Sequence, residues 1–226
     1  MADFTYLSMC KNVAQMAGLS GNIGGVTGQV GDIGRVVRFV REACVYVESL
    51  YGDWKFLFGG FVPITLQAGL NTYSVPTGYE VYRWNKNGLI IDDQIIVRKN
   101  VFEYHERRVT SGDLEQYQPM QVIIRPDNSL MFIGTPDRQY EFRGDFYKKP
   151  KILVNNTDVP NVPQQFCAII EAEALRRYAN YDNAAELKTE AQESYSMWLE
   201  LLEYDQKPGG THDNTGYDGS IVIAYD

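Results

Sequence analysis

Histidine is nearly missing from this chain, with two in 226 residues, His105 and His212. Neither has a second histidine or a cysteine at ligand spacing, which excludes the usual zinc motifs. Each reads as a solvated or locally paired side chain. Cysteine is scarce too. Cys10, Cys44 and Cys167 are odd in number, far apart, and each lies inside an apolar helical pattern. They are expected as buried, reduced thiols in a protein made in a reducing cytoplasm. No stretch approaches the ~18 apolar residues of a membrane span, so no membrane partner is expected. The start, "MADFTYLSMC", lacks a basic segment followed by an apolar block, so no secretion signal is expected.

Positive charge is also in deficit. Lys and Arg number 21 against 29 Asp and Glu, a net charge of −8 with a pI near 4.9. Such a chain is poorly suited to gripping nucleic acid, because phosphate binding is driven by Lys and Arg. It suits a channel through which DNA slides without sticking. Catalytic signatures are missing as well: no Gly-x-Ser-x-Gly elbow, kinase set or dinucleotide fingerprint occurs. Carboxylates abound, yet nothing selects a glycosidase-like pair. No catalytic residue, cofactor site or metal site is expected, and the chain is not read as an enzyme.

What the chain does have is apolar surface: 44% of residues are hydrophobic and 13% aromatic. That suits one large domain or two small ones. Tyr6, Leu7, Cys10, Val13, Ala14 and Ala17 recur at helical spacing, and Gly18 ends that helix. The run "GLSGNIGGVTGQVGDIG" lacks the Gly-Lys-Ser/Thr of a phosphate loop and is too short for collagen. It reads as a flexible surface loop, or as one that orders against a neighbouring subunit.

Next comes "VVRFVREACVYVESLYGDWKFLFGGF", residues 36–61. At 100° per residue, Val36, Phe39, Val40, Ala43, Cys44, Tyr46, Val47, Leu50, Tyr51 and Trp54 fill an arc of roughly 180°. Arg35, Arg38, Arg41, Glu42, Glu48 and Ser49 take the rest, with Arg38 and Glu42 spaced to pair. A helix buried over half its circumference is either central in a bundle or in contact with something outside its domain. After Gly52 the period lapses, and Gly59–Gly60 read as a hinge into a strand.

Residues 61–150 carry short β-rich runs between turn signals, such as "MQVIIRPDNSLMFIG" and the alternating "RQYEFRGDFYKKP". They predict a compact antiparallel domain of about six strands, a sandwich or open barrel. "NVFEYHERRV" interrupts it with a more helical pattern. Helix returns after "NTDVPNVPQQF". Phe166, Ile169, Ile170, Leu175, Tyr178 and Ala179 fit one arm, and Leu187, Ala191, Tyr195, Trp198 and Leu202 the other. Asp182 or Asn183 is placed to cap the second arm, about 33 Å long.

The expected fold class is α+β: a helical bundle from N- and C-terminal helices, an inserted antiparallel β domain and an extended C-terminal tail. The expected boundaries are 1–59, 60–151, 152–205 and 206–226. Two non-catalytic features stand out. Residues 182–205 hold seven acids and one base, and Glu186, Glu190, Glu193 and Glu200 share a face. That face is either solvated or an electronegative wall that keeps DNA from adhering. The end, "GSIVIAYD", is strand-like and apolar on a polar leash, and its 21-residue segment reaches roughly 70 Å. It either folds back on its own β domain or adds as a strand to a partner.

The order of these parts resembles a known family. A helix, a Gly-rich loop, "REACVYVESLYGDWKFL", a β insertion with "YSVPTGYEVYRW" and "IRPDNSLMFIGTPDRQYEFRGDFYKKP", then "DVPNVPQQFCAIIEAEALRRYANY" and an acidic helix follow in turn. This resembles the head-to-tail connector (adaptor) proteins of tailed, especially short-tailed, bacteriophages, over about residues 4–205. The resemblance implies a structural virion protein in a ring, commonly twelve-fold, between portal and tail. It implies as partners further copies of itself, the portal protein, a tail or nozzle protein, and passing DNA bound without sequence specificity. It implies residence at the head–tail interface of the virion, and in host cytoplasm during assembly. Val37, Cys44, Tyr51 and Trp54, with Ile221, Val222, Ile223 and Tyr225, are then expected at subunit or partner interfaces. Glu186, Glu190, Glu193 and Glu200 are expected to face the channel. The competing readings are a head-completion or tail-tube protein, a carbohydrate-binding module built on the Tyr-rich β domain, and an Asp/Glu hydrolase.

Overall fold

The computed structural model describes residues 4–99 and 116–206. The fold is α+β, as expected, in two compact units. The helical unit comprises the chain up to Phe56 and from Pro150 onward; the β unit is Leu57–Lys149. The expected tail and the "NVFEYHERRV" break, with both histidines, lie outside the described residues.

Helix α1, Tyr6–Met16, starts because Thr5 Oγ1 accepts the Ser8 N–H at 3.2 Å, satisfying one of the open donors of the first turn. Tyr6, Met9, Cys10 and Val13 form its fully buried face. It stops at Gly18, whose φ of +68° suits a residue without a Cβ. The glycine-rich loop that follows is not the loose surface loop its composition suggests. Ile23 and Val26 are buried, and the Val26 N–H donates to Asn156 Oδ1 at 2.8 Å. Two apolar side chains and one backbone bond pin it to its own subunit.

Helix α2, Gly31–Ser49, buries Val36, Val40, Ala43, Cys44 and Val47 completely. Two residues depart from the expected arc. Tyr46 leaves it and is exposed, whereas Glu48, expected on the polar side, is fully buried. Beyond α2, Trp54 is also fully buried, donates its indole N–H to Val47 O at 3.2 Å, and lies edge-to-face with Tyr51. Helix α3, Ala168–Asp182, presents Ile169, Ile170, Ala174 and Tyr178 inward. Phe166 precedes it in a 3-10 turn rather than joining its face. Asn183, left-handed at φ +55°, closes α3, and α4, Ala185–Gln206, packs back along it.

Among the described residues the β unit has eight strands in two four-stranded sheets. β1 (Phe58–Leu66), β8 (Tyr140–Tyr147), β3 (Arg83–Ile91) and β4 (Gln94–Ile95) are neighbours in that order. The second sheet runs β2 (Thr72–Tyr73), β7 (Leu130–Ile133), β6 (Gln121–Ile124) and β5 (Val97–Arg98). Alternation sets the faces: Val62, Ile64 and Leu66 of β1 point in, and Phe61, Pro63 and Thr65 point out. The inward residues of both sheets share one core around Trp84, Phe132 and Phe142. The expected purely antiparallel arrangement has one exception, since β5 and β6 pair in parallel through Val97–Gln121 and Arg98–Val122. Gly59 and Gly60 sit inside β1 at a register shift, with Gly60 at φ +90°, so they form a bulge rather than a hinge.

Candidate functional site

The residues expected at interfaces separate by burial. Val37, Cys44 and Trp54 are packed inside their own helical unit, so their apolar surface is spent there. The Val37 carbonyl accepts the Tyr6 hydroxyl at 2.7 Å. Tyr51 is half-buried and donates its hydroxyl to Glu203 Oε1 at 2.7 Å. Ile221, Val222, Ile223 and Tyr225 lie outside the described residues.

The four acids expected on a channel wall are all exposed on α4. This helix buries only Ala191, Tyr195 and Leu202 of its 22 residues. Its outer stripe runs Glu186, Glu190, Glu193, Met197, Leu201, Tyr204, in steps of three and four. The first half of that stripe is acidic and the second apolar, with Met197 52% and Leu201 44% exposed. The whole net charge belongs to this unit. It has ten basic and eighteen acidic residues, whereas the β unit has eleven of each.

Three carboxylates are buried without any sequence pattern that marks them, Glu48, Glu171 and Glu173. Glu48 accepts the Lys151 and Asn161 backbone N–H groups at 2.7 Å each and the Asn161 side-chain amide at 2.8 Å. It fastens the returning chain onto α2. Burial pushes its carboxyl above the ordinary range against those bonds. Glu173, 1% exposed, holds Arg176 and Arg177 at 2.8 Å each, and Arg177 reaches Glu42 at 3.2 Å. Glu171, 8% exposed, has the Asn12 amide at 2.8 Å, and burial raises its carboxyl to about 7.

Glu171 yields a pH prediction. A carboxyl whose pKa is raised in the folded state binds more protons folded than unfolded. Stability is then greatest at low pH and falls as pH rises from about 4.5 to about 7. Glu171→Gln keeps an acceptor for Asn12 and removes the charge. It is expected to stabilise the protein at pH 8 by roughly 3 kcal/mol at most, and by little at pH 4.5. Urea unfolding at the two pH values checks it, and an equal effect at both would refute it.

Burial likewise raises Cys10 and Cys167 to about 12, and Cys44 above its usual range. The three thiols are therefore protonated packing groups. Among the described residues, no group of three His, Cys, Asp or Glu is placed to hold a metal ion. Among them also, no helix is long and apolar enough to cross a membrane.

The family model described as SU10 adaptor protein matches residues 4–214. No curated protein matches the chain. With nearly its whole length covered, the chain belongs to the SU10 adaptor family: it is a phage adaptor, a structural component of the virion.

Proposed function

From that membership we propose that the chain forms a closed ring between the portal and the tail, with the stoichiometry that the resemblance implies. In that role it extends the DNA channel, gives the tail or nozzle its platform, and performs no chemistry. The observation that carries this reading is the family match over 4–214, a span that takes in both units. The charge distribution supports it. A conduit for DNA has to avoid holding phosphate, and the helical unit bears the entire excess of eight negative charges. In this reading residues 207–226, with Ile221, Val222, Ile223 and Tyr225, reach the portal or an adjacent subunit.

Native mass and negative-stain images of one purified sample test the proposal, together with capture by the portal protein. The expected result is a closed ring, or a monomer that binds portal, with either lost when residues 207–226 are deleted. Assembly unchanged by that deletion would remove the segment from the mechanism. A chain that neither self-associates nor binds portal would overturn the ring reading.

A further inference from the structure

We infer that the ring is closed by the outer stripe of α4 packing against the outer stripe of α2 in the next copy. This rests on the ring reading above and assigns its subunit interface. The two stripes complement each other from end to end. α4 runs from Glu186, Glu190 and Glu193 to Met197 and Leu201. α2 runs from Arg35 and Arg38 to Val45 and Tyr46. The Arg38 side chain is 63% exposed and that of Arg35 40%, while Tyr46 is 38% exposed.

Register supports the match. Within one subunit α2 and α4 run the same way, because both lie antiparallel to α3. Arg35 stacks on Tyr181 and Glu42 meets Arg177, so α2 ascends as α3 descends. Arg176 then meets Gln192, while Tyr51 meets Glu203 and Lys55 meets Asp205. Arg177 meets Glu42 while Arg176 meets Gln192, so Glu42 lies near the height of Ala191, and Arg38, four residues back, near that of Leu187, between Glu186 and Glu190. Three residues on from Glu42, Val45 lies near the height of Ser194, within one turn of Met197. Rotation about an axis along these helices preserves height. Glu186 and Glu190 of one copy then face Arg35 and Arg38 of the next, and Met197 lies within a turn of Val45, while the Tyr46 ring lies under Arg177 of its own subunit. Different patches meet on the two sides, so the contact is head-to-tail, the kind that makes a ring when its rotation closes.

Two like charges lie on α2 near this level, Asp32, which Arg35 holds at 2.9 Å, and Glu42. Glu42 is on the α2 stripe near the height of Glu193, but Arg38 and Arg177 already hold it at 3.4 and 3.2 Å. The apolar half of the α4 stripe decides against a channel wall. Exposed Met197 and Leu201 on one line mark a contact surface, and a wall past which DNA slides has no use for them.

The test is a charge exchange in the full-length chain. One variant carries Glu186→Lys, Glu190→Lys and Glu193→Lys; the other carries Arg35→Glu and Arg38→Glu. Alone, each sets like charges against like, and self-association should weaken by about 100-fold or more. Mixed in equal amounts, each supplies the face the other needs, and rings should return with the two variants alternating. That rescue also shows that both variants are folded. Rings formed by the lysine variant alone would overturn the assignment and leave the ring reading intact. The α4 stripe would then face the channel or be covered by residues 207–226. A mixture that stays monomeric, with both variants helical by circular dichroism, would overturn it as well. Wild-type chain that stays monomeric under all conditions would instead overturn the ring reading, and this interface with it.

Discussion

Glu48→Ala is expected to cost the helical unit on the order of 5 kcal/mol, enough to unfold a domain of ordinary stability. The carboxylate is fully buried and receives three N–H donors from Lys151 and Asn161. Alanine takes away their shared acceptor and leaves a dry gap. Each buried donor deprived of its acceptor costs about 1–3 kcal/mol. Glu48→Gln keeps one acceptor oxygen but turns an amide towards N–H groups, so it should fall between alanine and wild type. Urea unfolding followed by the fluorescence of Trp54, which sits on the same helix exit, reads both variants. A loss below about 1 kcal/mol for alanine would mean that water takes the carboxylate's place, and the clamp would carry no weight.

In the β unit, Trp84→Ala should cost about 3–5 kcal/mol, since it empties the centre of the shared core. Trp84 is 2% exposed, lies edge-to-face with Phe142, and donates its indole N–H to Asn128 O at 2.9 Å. Its ring rests on Gly144, where a Cβ would come within 2.5 Å of it. The glycine thus makes room for the indole in the middle of β8. Trp84→Phe fills most of the space and gives up only the hydrogen bond to the β6–β7 turn, so about 1 kcal/mol is expected. Near-UV circular dichroism and denaturant midpoints of the two variants separate the terms. Equal losses would assign the effect to the hydrogen bond rather than to packing.

Local signals carried much of the fold. Helical periodicity located α1, α2 and both arms of the C-terminal hairpin. At the β3–β4 turn Asp92 and Asp93 both take the positive φ such a turn requires. Pro126-Asp127-Asn128 marked the β6–β7 turn, in which Asp127 accepts the Ser129 N–H at 3.0 Å. What stayed illegible depends on residues distant in sequence. Glu48 looked like a surface acid because its partners are more than a hundred residues away. The parallel β5–β6 pair rests on two residues per strand, too few for any pattern to show. The breadth of the α2 arc was visible, but not its use. Val37 and Cys44 are buried within the helical unit itself, which the periodicity of α2 alone does not show. In the glycine-rich loop the signal for burial is carried by Ile23 and Val26, which are costly to leave in water.

The β unit begins and ends on neighbouring strands. Phe58 of β1 faces Tyr147 of β8, and the Lys148 N–H donates to Leu57 O at 2.8 Å. Its two ends are therefore about one strand spacing apart, some 5 Å. A module with adjacent ends can be exchanged for another, or trimmed to a short turn, without altering the path of the chain on either side. The insertion can then lengthen or shorten among relatives while the helical frame stays as it is.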